Sequence, residues 1–218
     1  MSGPARSARP RWWVFVLVGL GVAALAFAVG RFSTFSAVAP GPNAADAGFA
    51  RDMQLHHAQA IDMAMVLYRE TDDAELRSLA YDIATSQAGQ RGEMYDWLVQ
   101  WGLPQSGVPM AWMAADPGEH AGHGASATPL TDDEMRAAMG MASDAELDEL
   151  RAAEGTAADC LFLELMIRHH EGALPMVDAV LELGSMPRVV AVAGSIKQAQ
   201  TAELDAMKAA QLRLGCTQ

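Results

Sequence analysis

Several common sources of enzyme chemistry are missing from this sequence. It contains no Ser-His-Asp pattern, no glycine-rich phosphate-binding loop and no His-Glu-x-x-His motif, so hydrolase or transferase chemistry lacks its parts. No glutamate stands three residues before any of the six histidines, as the Glu-x-x-His sites of di-iron four-helix bundles require. An enzyme is therefore not the first expectation, although a redox enzyme that uses the histidines in another way stays open.

Acidic residues are absent from the first 45 positions. All 27 Asp and Glu lie from Asp46 onward, against 11 of the 15 Lys and Arg after Arg31, which gives that part a net charge of −16. A field of this sign repels nucleic acid and attracts cations, so no nucleic-acid partner is expected. The simpler interpretation is that the charge keeps the domain soluble.

Charge is also absent from the nineteen residues between Trp12 and Gly30, which are enough to cross a hydrocarbon core of about 30 Å. Three arginines precede this stretch and only Arg31 follows closely, so the positive-inside rule places the N-terminus in the cytoplasm. A cleaved signal sequence is the alternative, but its apolar stretch is usually shorter. The prediction is a cytoplasmic tail (1–11), a single transmembrane anchor in the cell membrane (12–30), a tether (31–45) and an extracytoplasmic domain (46–218).

The exported part repeats itself at a constant offset of 113 residues. Phe49–Met63 superposes on Phe162–Met176, and both copies contain Met-x-x-His-His-x-x-Ala-x-x-Met. The register holds downstream, with 11 identities over the 54 positions from Phe49 to Gly102. An ungapped match of this length indicates a duplicated unit, with copies at 46–102 and 158–215 joined by a crossover at 103–157.

Each copy is predicted to form a helical hairpin. Apolar residues recur at steps of three and four, and short turns are expected near 71–73 and 184–187. Two such hairpins make an all-α four-helix bundle with a pseudo-twofold axis. The crossover, rich in Pro and Gly, is predicted to lie outside the core, with capping boxes at Thr131 and Ser143 and a similar pattern at Thr156 beginning the third bundle helix.

The two cysteines, Cys160 and Cys216, stand where the third helix begins and the fourth helix ends. These ends are neighbours in an antiparallel hairpin, and an oxidising compartment permits pairing. We therefore predict a disulfide, with two free thiols as the alternative.

His56 and His169 interrupt the apolar seams of their helices. Counting from the turns places them level with Gln87 and Gln200 on the partner helices, and their neighbours His57 and His170 lie about 100° away, at the flank of the seam. The candidate metal ligands are the four histidines and the methionines on the same stripes, namely His56, His57, His169, His170, Met53, Met63, Met166 and Met176. Gln87, Gln200, Gln90 and Glu203 are candidates to support these ligands.

Two interpretations of these histidines stay open. Imidazoles with thioethers nearby suit a soft or borderline metal, with copper the best match and zinc second. Alternatively, each histidine is hydrogen-bonded to a glutamine and merely fixes helix register, so that a protein partner, for which exposed Trp112 is a candidate contact, carries the function. A weaker metal candidate is the crossover group of Met110, Met113, His120 and His123.

The duplicated Phe and Met-x-x-His-His-x-x-Ala-x-x-Met pattern resembles the bacterial family catalogued as domain of unknown function 305. The resemblance runs from about Asn43 to Gly215 and includes the segment from Met139 to Glu146, which looks like the one that often precedes the second copy. It implies a ferritin-like four-helix bundle. It also implies copper binding or tolerance, with which some exported members have been connected, through the histidine pairs and their methionines.

Overall fold

The computed structural model describes residues 12–32, 41–113 and 131–216, and the regular secondary structure within these ranges is helical. The helices are α1 (Trp12–Phe32), α2 (Ala44–Glu70), α3 (Ala74–Trp101), α4 (Asp132–Ala138), α5 (Asp144–Ala152), α6 (Gly155–Leu183) and α7 (Pro187–Leu214), with a 3₁₀ turn at Ala111–Met113.

The first compact unit contains α1. Its segment Trp12–Gly30 has a mean hydropathy of 2.4, and none of its residues is buried in the part of the unit that the structure describes. By length and composition this helix can cross a membrane, and a signal sequence near the N-terminus has the same properties.

The second compact unit, from Pro42 onward, is the predicted bundle of two helical hairpins. Helix α2 pairs with α3, α6 pairs with α7, and the hairpins meet chiefly where α2 packs on α6. The turns fall at 71–73 and 184–186, as the sequence predicts. The all-α, duplicated architecture expected from the repeat is confirmed.

The duplication extends to the way the helices end. Helices α3 and α7 stop at Gly102 and Gly215, which are 113 positions apart and have φ angles of 66° and 69°. Glycine adopts this left-handed conformation without the steric penalty of a side chain. The following backbone N–H in each copy, that of Leu103 or Cys216, then donates to a carbonyl in the last turn of its helix. Both helices therefore end with the same type of cap.

Helix α2 begins earlier than the predicted tether allowed. Asn43 and Asp46 form a reciprocal capping box, so α2 starts at Ala44. The fully buried Asp46 carboxylate also accepts hydrogen bonds from the Ser185 backbone N–H at 3.0 Å and the Met186 N–H at 3.1 Å. One side chain therefore caps the start of α2 and holds the turn that precedes α7.

The second half of the crossover is part of the core, which corrects the prediction that it lies outside. Capping boxes at Thr131 and Ser143 begin α4 and α5 as expected, and Met139, Leu147 and Leu150 are buried against the bundle. The expected cap at Thr156 is wrong, because α6 already begins at Gly155 after Glu154, whose side chain makes no capping hydrogen bond.

In the structure Cys160 and Cys216 are joined by a disulfide, with Cα atoms 5.5 Å apart. The bridge links the first turns of α6 to the residue after the glycine cap of α7. It closes the open end of the second hairpin, opposite the turn at 184–186.

Candidate metal centre

The bundle core consists of two apolar clusters separated by buried polar side chains. One cluster contains the C-terminal half of α2 and the N-terminal half of α6, and the other contains their opposite halves. The polar layer between them consists of His56, His57, Gln87, His169, His170 and Gln200, all at most 2% exposed. A buried polar group is costly unless it is hydrogen-bonded or has a ligand to bind, so this layer is the first place to look for function.

His56 and His169 lie at the centre of the layer, where α2 meets α6. Their ring centroids are 3.6 Å apart and the ring planes differ by 33°, so the two imidazoles are in face-to-face contact. His56 Nε2 donates to the backbone carbonyl of Met139 at 3.0 Å. A carbonyl oxygen only accepts, so the proton of neutral His56 is on Nε2 and the Nδ1 atom keeps a free lone pair.

His57 and His170 are held by the second helix of their own hairpin. His57 Nε2 hydrogen-bonds to Gln90 Oε1 and His170 Nε2 to Glu203 Oε2, each at 2.8 Å. Acceptor oxygens again place a proton on Nε2 of each ring, and the Nδ1 atom of each ring has no hydrogen-bond partner. Both histidines are fully buried, although the sequence placed them at the flank of the seam.

The predicted histidine–glutamine pairs do not form. Neither amide atom of Gln87 or Gln200 has a hydrogen-bond partner, and neither ring nitrogen of His169 has one. With the Nδ1 atoms of the other three histidines, nine buried polar atoms of the layer are unsatisfied within the described protein. Equal height along two helices does not fix where side chains point, and the carbonyl that engages His56 comes from the crossover, which the helical count does not include.

Burial keeps the imidazoles of His56, His57 and His169 neutral. Removal from water lowers the pKa of His56 and of His57 to about 3, and it lowers the pKa of His169 well below its ordinary value. The neutral form carries the lone pair that binds a metal ion. These three imidazoles thus present ligand-competent nitrogens throughout the neutral and mildly acidic pH range.

The four predicted methionines are all fully buried and flank the layer on both sides. Met53 and Met176 belong to one apolar cluster, and Met63 and Met166 belong to the other. This pairing follows from the antiparallel packing of α2 on α6 around the two central histidines. Thioether sulfur is a soft ligand, so a soft ion within the layer has sulfur donors in the clusters next to it.

The imidazoles pack against one another and do not converge on a common point. Across residues 12–32, 41–113 and 131–216, no three His, Cys, Asp or Glu side chains are arranged to hold a metal ion. Binding would therefore require a change of ring orientation. The donor set itself fits a soft or borderline metal, because it combines neutral imidazoles that have free lone pairs with neighbouring thioethers.

Residues 139–142 form a strap that covers the layer. The strap passes so close to α6 that a Cβ atom on Gly172 would lie 2.0 Å from the Met139 carbonyl oxygen. Gln59 of α2 holds Ala142 with two hydrogen bonds of 2.8 and 2.7 Å, to its carbonyl and from its N–H. The sequence analysis did not predict that this segment covers the layer. The available signal was the pair of methionines on either side of Gly140, Met139 and Met141, both of which are buried.

A salt bridge holds the helix that follows the strap. Arg168 of α6 binds both oxygens of Glu146 at 2.8 Å, and the guanidinium lowers the pKa of that carboxyl to about 2. Glu146 also caps the start of α5 through Ser143. The strap is thus fixed to α2 by Gln59 and to α6 by this pair.

The crossover residues proposed for other roles pack against the bundle. Trp112 is half-buried, edge-on to Phe49 and directly over Gly48, and its Nε1 donates to Asp52 at 2.7 Å. It is therefore not the exposed contact that the partner-binding interpretation required. Met110 and Met113 pack against the core cluster, and His120 and His123 lie outside the described residues.

Comparison with known proteins agrees with this architecture. A DUF305 protein from Streptomyces coelicolor is 35% identical, with a TM-score of 0.68 over 80% of this chain and 96% of that one. A DUF305 fragment from Deinococcus radiodurans is 31% identical, with a TM-score of 0.65 over 80% and 99%. No curated protein sequence matches the chain.

CopM is a third similar structure, solved in several metal-bound forms. Its Cu(I)-bound form is 25% identical with a TM-score of 0.57, and its Cu(II)-bound form is 30% identical with a TM-score of 0.55. Each match covers 77% of this chain and 96% of CopM. The family model described as "Domain of unknown function (DUF305)" matches residues 46–211. This chain, with its paired histidines in a duplicated helical bundle, belongs to the DUF305 family.

Proposed function

We propose that this protein is a membrane-anchored, extracytoplasmic copper-binding protein that takes up or buffers copper in the polar layer of its bundle. The observation that carries the proposal is the set of nine unsatisfied polar atoms in the layer, six of them shared between His169 and the two glutamines. A purely structural layer would pair these atoms with each other, because each unpaired buried group costs about 1–3 kcal/mol.

The chemistry of the donors favours copper over zinc. Structural zinc sites are closed tetrahedra of thiolate and imidazole, whereas copper also accepts thioether ligands. Both cysteines are joined in the disulfide, so no thiolate is available from them. The similarity to CopM, whose structures include Cu(I)-, Cu(II)- and Ag-bound forms, supports the same choice.

Within such a site the protein supplies neutral imidazoles, oriented by their own hydrogen bonds. Met139, Gln90 and Glu203 each fix one Nε2–H, which leaves Nδ1 as the ligand atom. The strap and the two apolar clusters exclude water from the layer. Bound copper would supply a Lewis-acidic, redox-active centre, and nothing in the donor set requires a catalytic role.

The test removes the two central histidines. We expect the full chain in detergent to bind copper tightly, and His56→Leu/His169→Leu to abolish stoichiometric binding, because these rings join the two halves of the layer. The readout is Cu(I) and Cu(II) titration against a chromophoric chelator. The control His120→Ala/His123→Ala removes the same number of histidines from the crossover sequence and should at most reduce a weaker second phase.

A second variant tests the same site without replacing a histidine, in case His56→Leu/His169→Leu does not fold. Met53→Leu/Met176→Leu keeps volume and apolar character in the core, so the bundle should fold while copper affinity falls. Unchanged stoichiometry in the His56/His169 variant, with its helical circular dichroism intact, would rule out the layer as the site.

The anchor is the second part of the proposal. The uncharged stretch Trp12–Gly30 of α1 and the arginines before it support an uncleaved span with the bundle outside, and the disulfide suits an oxidising compartment. We expect the full-length chain to sediment with membranes and to be digested by protease from the outer side only. Recovery of a soluble mature chain that begins near residue 27 or 40 would overturn the anchor and leave the copper site untouched.

A further inference from the structure

The two halves of the polar layer differ in charge at one pair of equivalent positions. Gln90 and Glu203 are 113 residues apart, and each accepts from the histidine of its own hairpin at the same distance of 2.8 Å. The geometry is duplicated but the charge is not, because an amide faces His57 and a carboxylate faces His170. Glu203 is only 16% exposed at its side chain, so water screens this charge weakly.

Glu203 is the one carboxylate, among the described residues, that hydrogen-bonds to an imidazole of the layer. A histidine that binds a metal ion through Nδ1 and keeps its Nε2–H is neutral, and the other hydrogen-bond acceptors that the described residues offer to these rings are the Gln90 amide and the Met139 carbonyl. The nearby Arg168 is already paired with Glu146. With a metal ion bound, the layer would thus have a single carboxylate, Glu203, beside imidazole ligands that carry no charge.

We propose that this single carboxylate matches the layer to a monovalent soft cation, Cu(I), with His170 as its anchoring ligand and the amide at position 90 acting against Cu(II). The inference rests on the proposed function and specifies its ion. A monovalent ion beside Glu203 makes the buried site electrically neutral. A divalent ion leaves one uncompensated positive charge in a place that excludes water, and an uncompensated buried charge is strongly disfavoured.

Glu203 also orients its ligand. A histidine that donates its Nε2–H to a carboxylate is a more basic donor at Nδ1 than one that donates to an amide. His170 should therefore bind the ion more strongly than His57, so the ion is held nearer to the second copy. The residue at position 90 then determines the preference for Cu(I) over Cu(II). A second carboxylate there would balance the charge of a divalent ion, and the Gln90 amide does not.

The test changes the number and the position of carboxylates with isosteric substitutions in the full chain. Glu203→Gln removes the charge and should weaken Cu(I) and Ag(I) binding at least tenfold. Gln90→Glu adds a charge and should raise Cu(II) affinity relative to Cu(I) affinity at least tenfold. The exchange variant Gln90→Glu/Glu203→Gln moves the one charge to the first copy and should restore Cu(I) affinity to within a few-fold of the wild type.

The outcomes separate this inference from the function on which it rests. Wild-type protein that binds neither Cu(I) nor Cu(II) would overturn the copper proposal and this inference together. Copper binding that is lost in the His56/His169 variant, with the Cu(I) to Cu(II) affinity ratio unchanged in Gln90→Glu, would overturn this inference only. Failure of the exchange variant to recover Cu(I) affinity would show that Glu203 acts through its position and not through the charge count.

Discussion

Replacing Cys160 and Cys216 together by alanine is expected to lower the free energy of unfolding of the bundle by about 4 kcal/mol. The bridge closes a 56-residue loop, and the chain-entropy model assigns a loss of this size to opening such a loop in the unfolded state. The measurement is a denaturant unfolding curve of the metal-free full chain in detergent, followed by far-ultraviolet circular dichroism.

Reduction supplies the matched control, because it opens the bridge without removing side chains. A thiol reductant should destabilise the wild type by a similar amount and leave the alanine variant unchanged. Titration of free thiols in the unfolded, unreduced chain should detect none. Two thiols per chain, or a wild-type midpoint that reductant does not move, would contradict the prediction.

The repeat explains why so much of the fold could be predicted. The offset of 113 residues is constant from Phe49 to Gly102. A helix end, turn or cap that is recognised in one copy is therefore also predicted at the equivalent position of the other copy. The proximity of Cys160 and Cys216 followed from antiparallel geometry alone. The buried positions of the methionine stripes followed from steps of three and four residues.

The hydrogen-bond partners within the layer could not be predicted in the same way. Periodicity gives the height of a side chain on a helix, and His56 and Gln87 do occupy the same polar layer. It does not place segments outside the repeat, and the His56 partner, the Met139 carbonyl, belongs to the strap. The strap can pass close to α6 because Gly172 has no Cβ atom. The importance of this glycine cannot be recognised from the sequence until the path of the crossover is known.

Trp112 shows the same limit at the other end of the crossover. A tryptophan in a Pro- and Gly-rich loop resembles an exposed contact, but its indole finds an apolar surface at Phe49 and an acceptor at Asp52. Burial raises the pKa of the Asp52 carboxyl, a sign that the loop shields this part of α2 from water. Such docking depends on tertiary packing that local composition does not encode.

The stability of the metal-free protein is expected to fall steeply as the pH is lowered from 7 to 5. In the unfolded chain a histidine has a pKa near 6.5, whereas burial lowers the pKa of His56 and His57 in the folded state to about 3. The stability is therefore fully present above pH 6.5. Below pH 6.5, these histidines are protonated in the unfolded chain but not in the folded layer, so stability is lost progressively towards pH 3.

The expected slope is about 1.4 kcal/mol per pH unit for each histidine held neutral, or roughly 2 kcal/mol per histidine at pH 5. His169 has its pKa lowered by the same burial and adds to the effect in the same direction. Carboxyl groups in the unfolded chain titrate near 4, so they contribute little between pH 7 and 5. The raised pKa of Asp52 acts in the opposite direction to the histidines. The Glu146 carboxyl, with its pKa of about 2, contributes only at lower pH.

The measurement is a series of denaturant unfolding curves between pH 7 and 5 for the metal-free wild type and for His56→Leu/His169→Leu. The variant lacks two of the three histidines whose pKa burial lowers, so its stability should depend much less on pH. Its curves also show whether the leucines fold into the layer at pH 7. Parallel pH profiles for the two proteins, or a flat wild-type profile, would mean that the buried imidazoles accept protons in the folded state. The layer would then not be the closed, neutral donor set that the proposed copper binding requires.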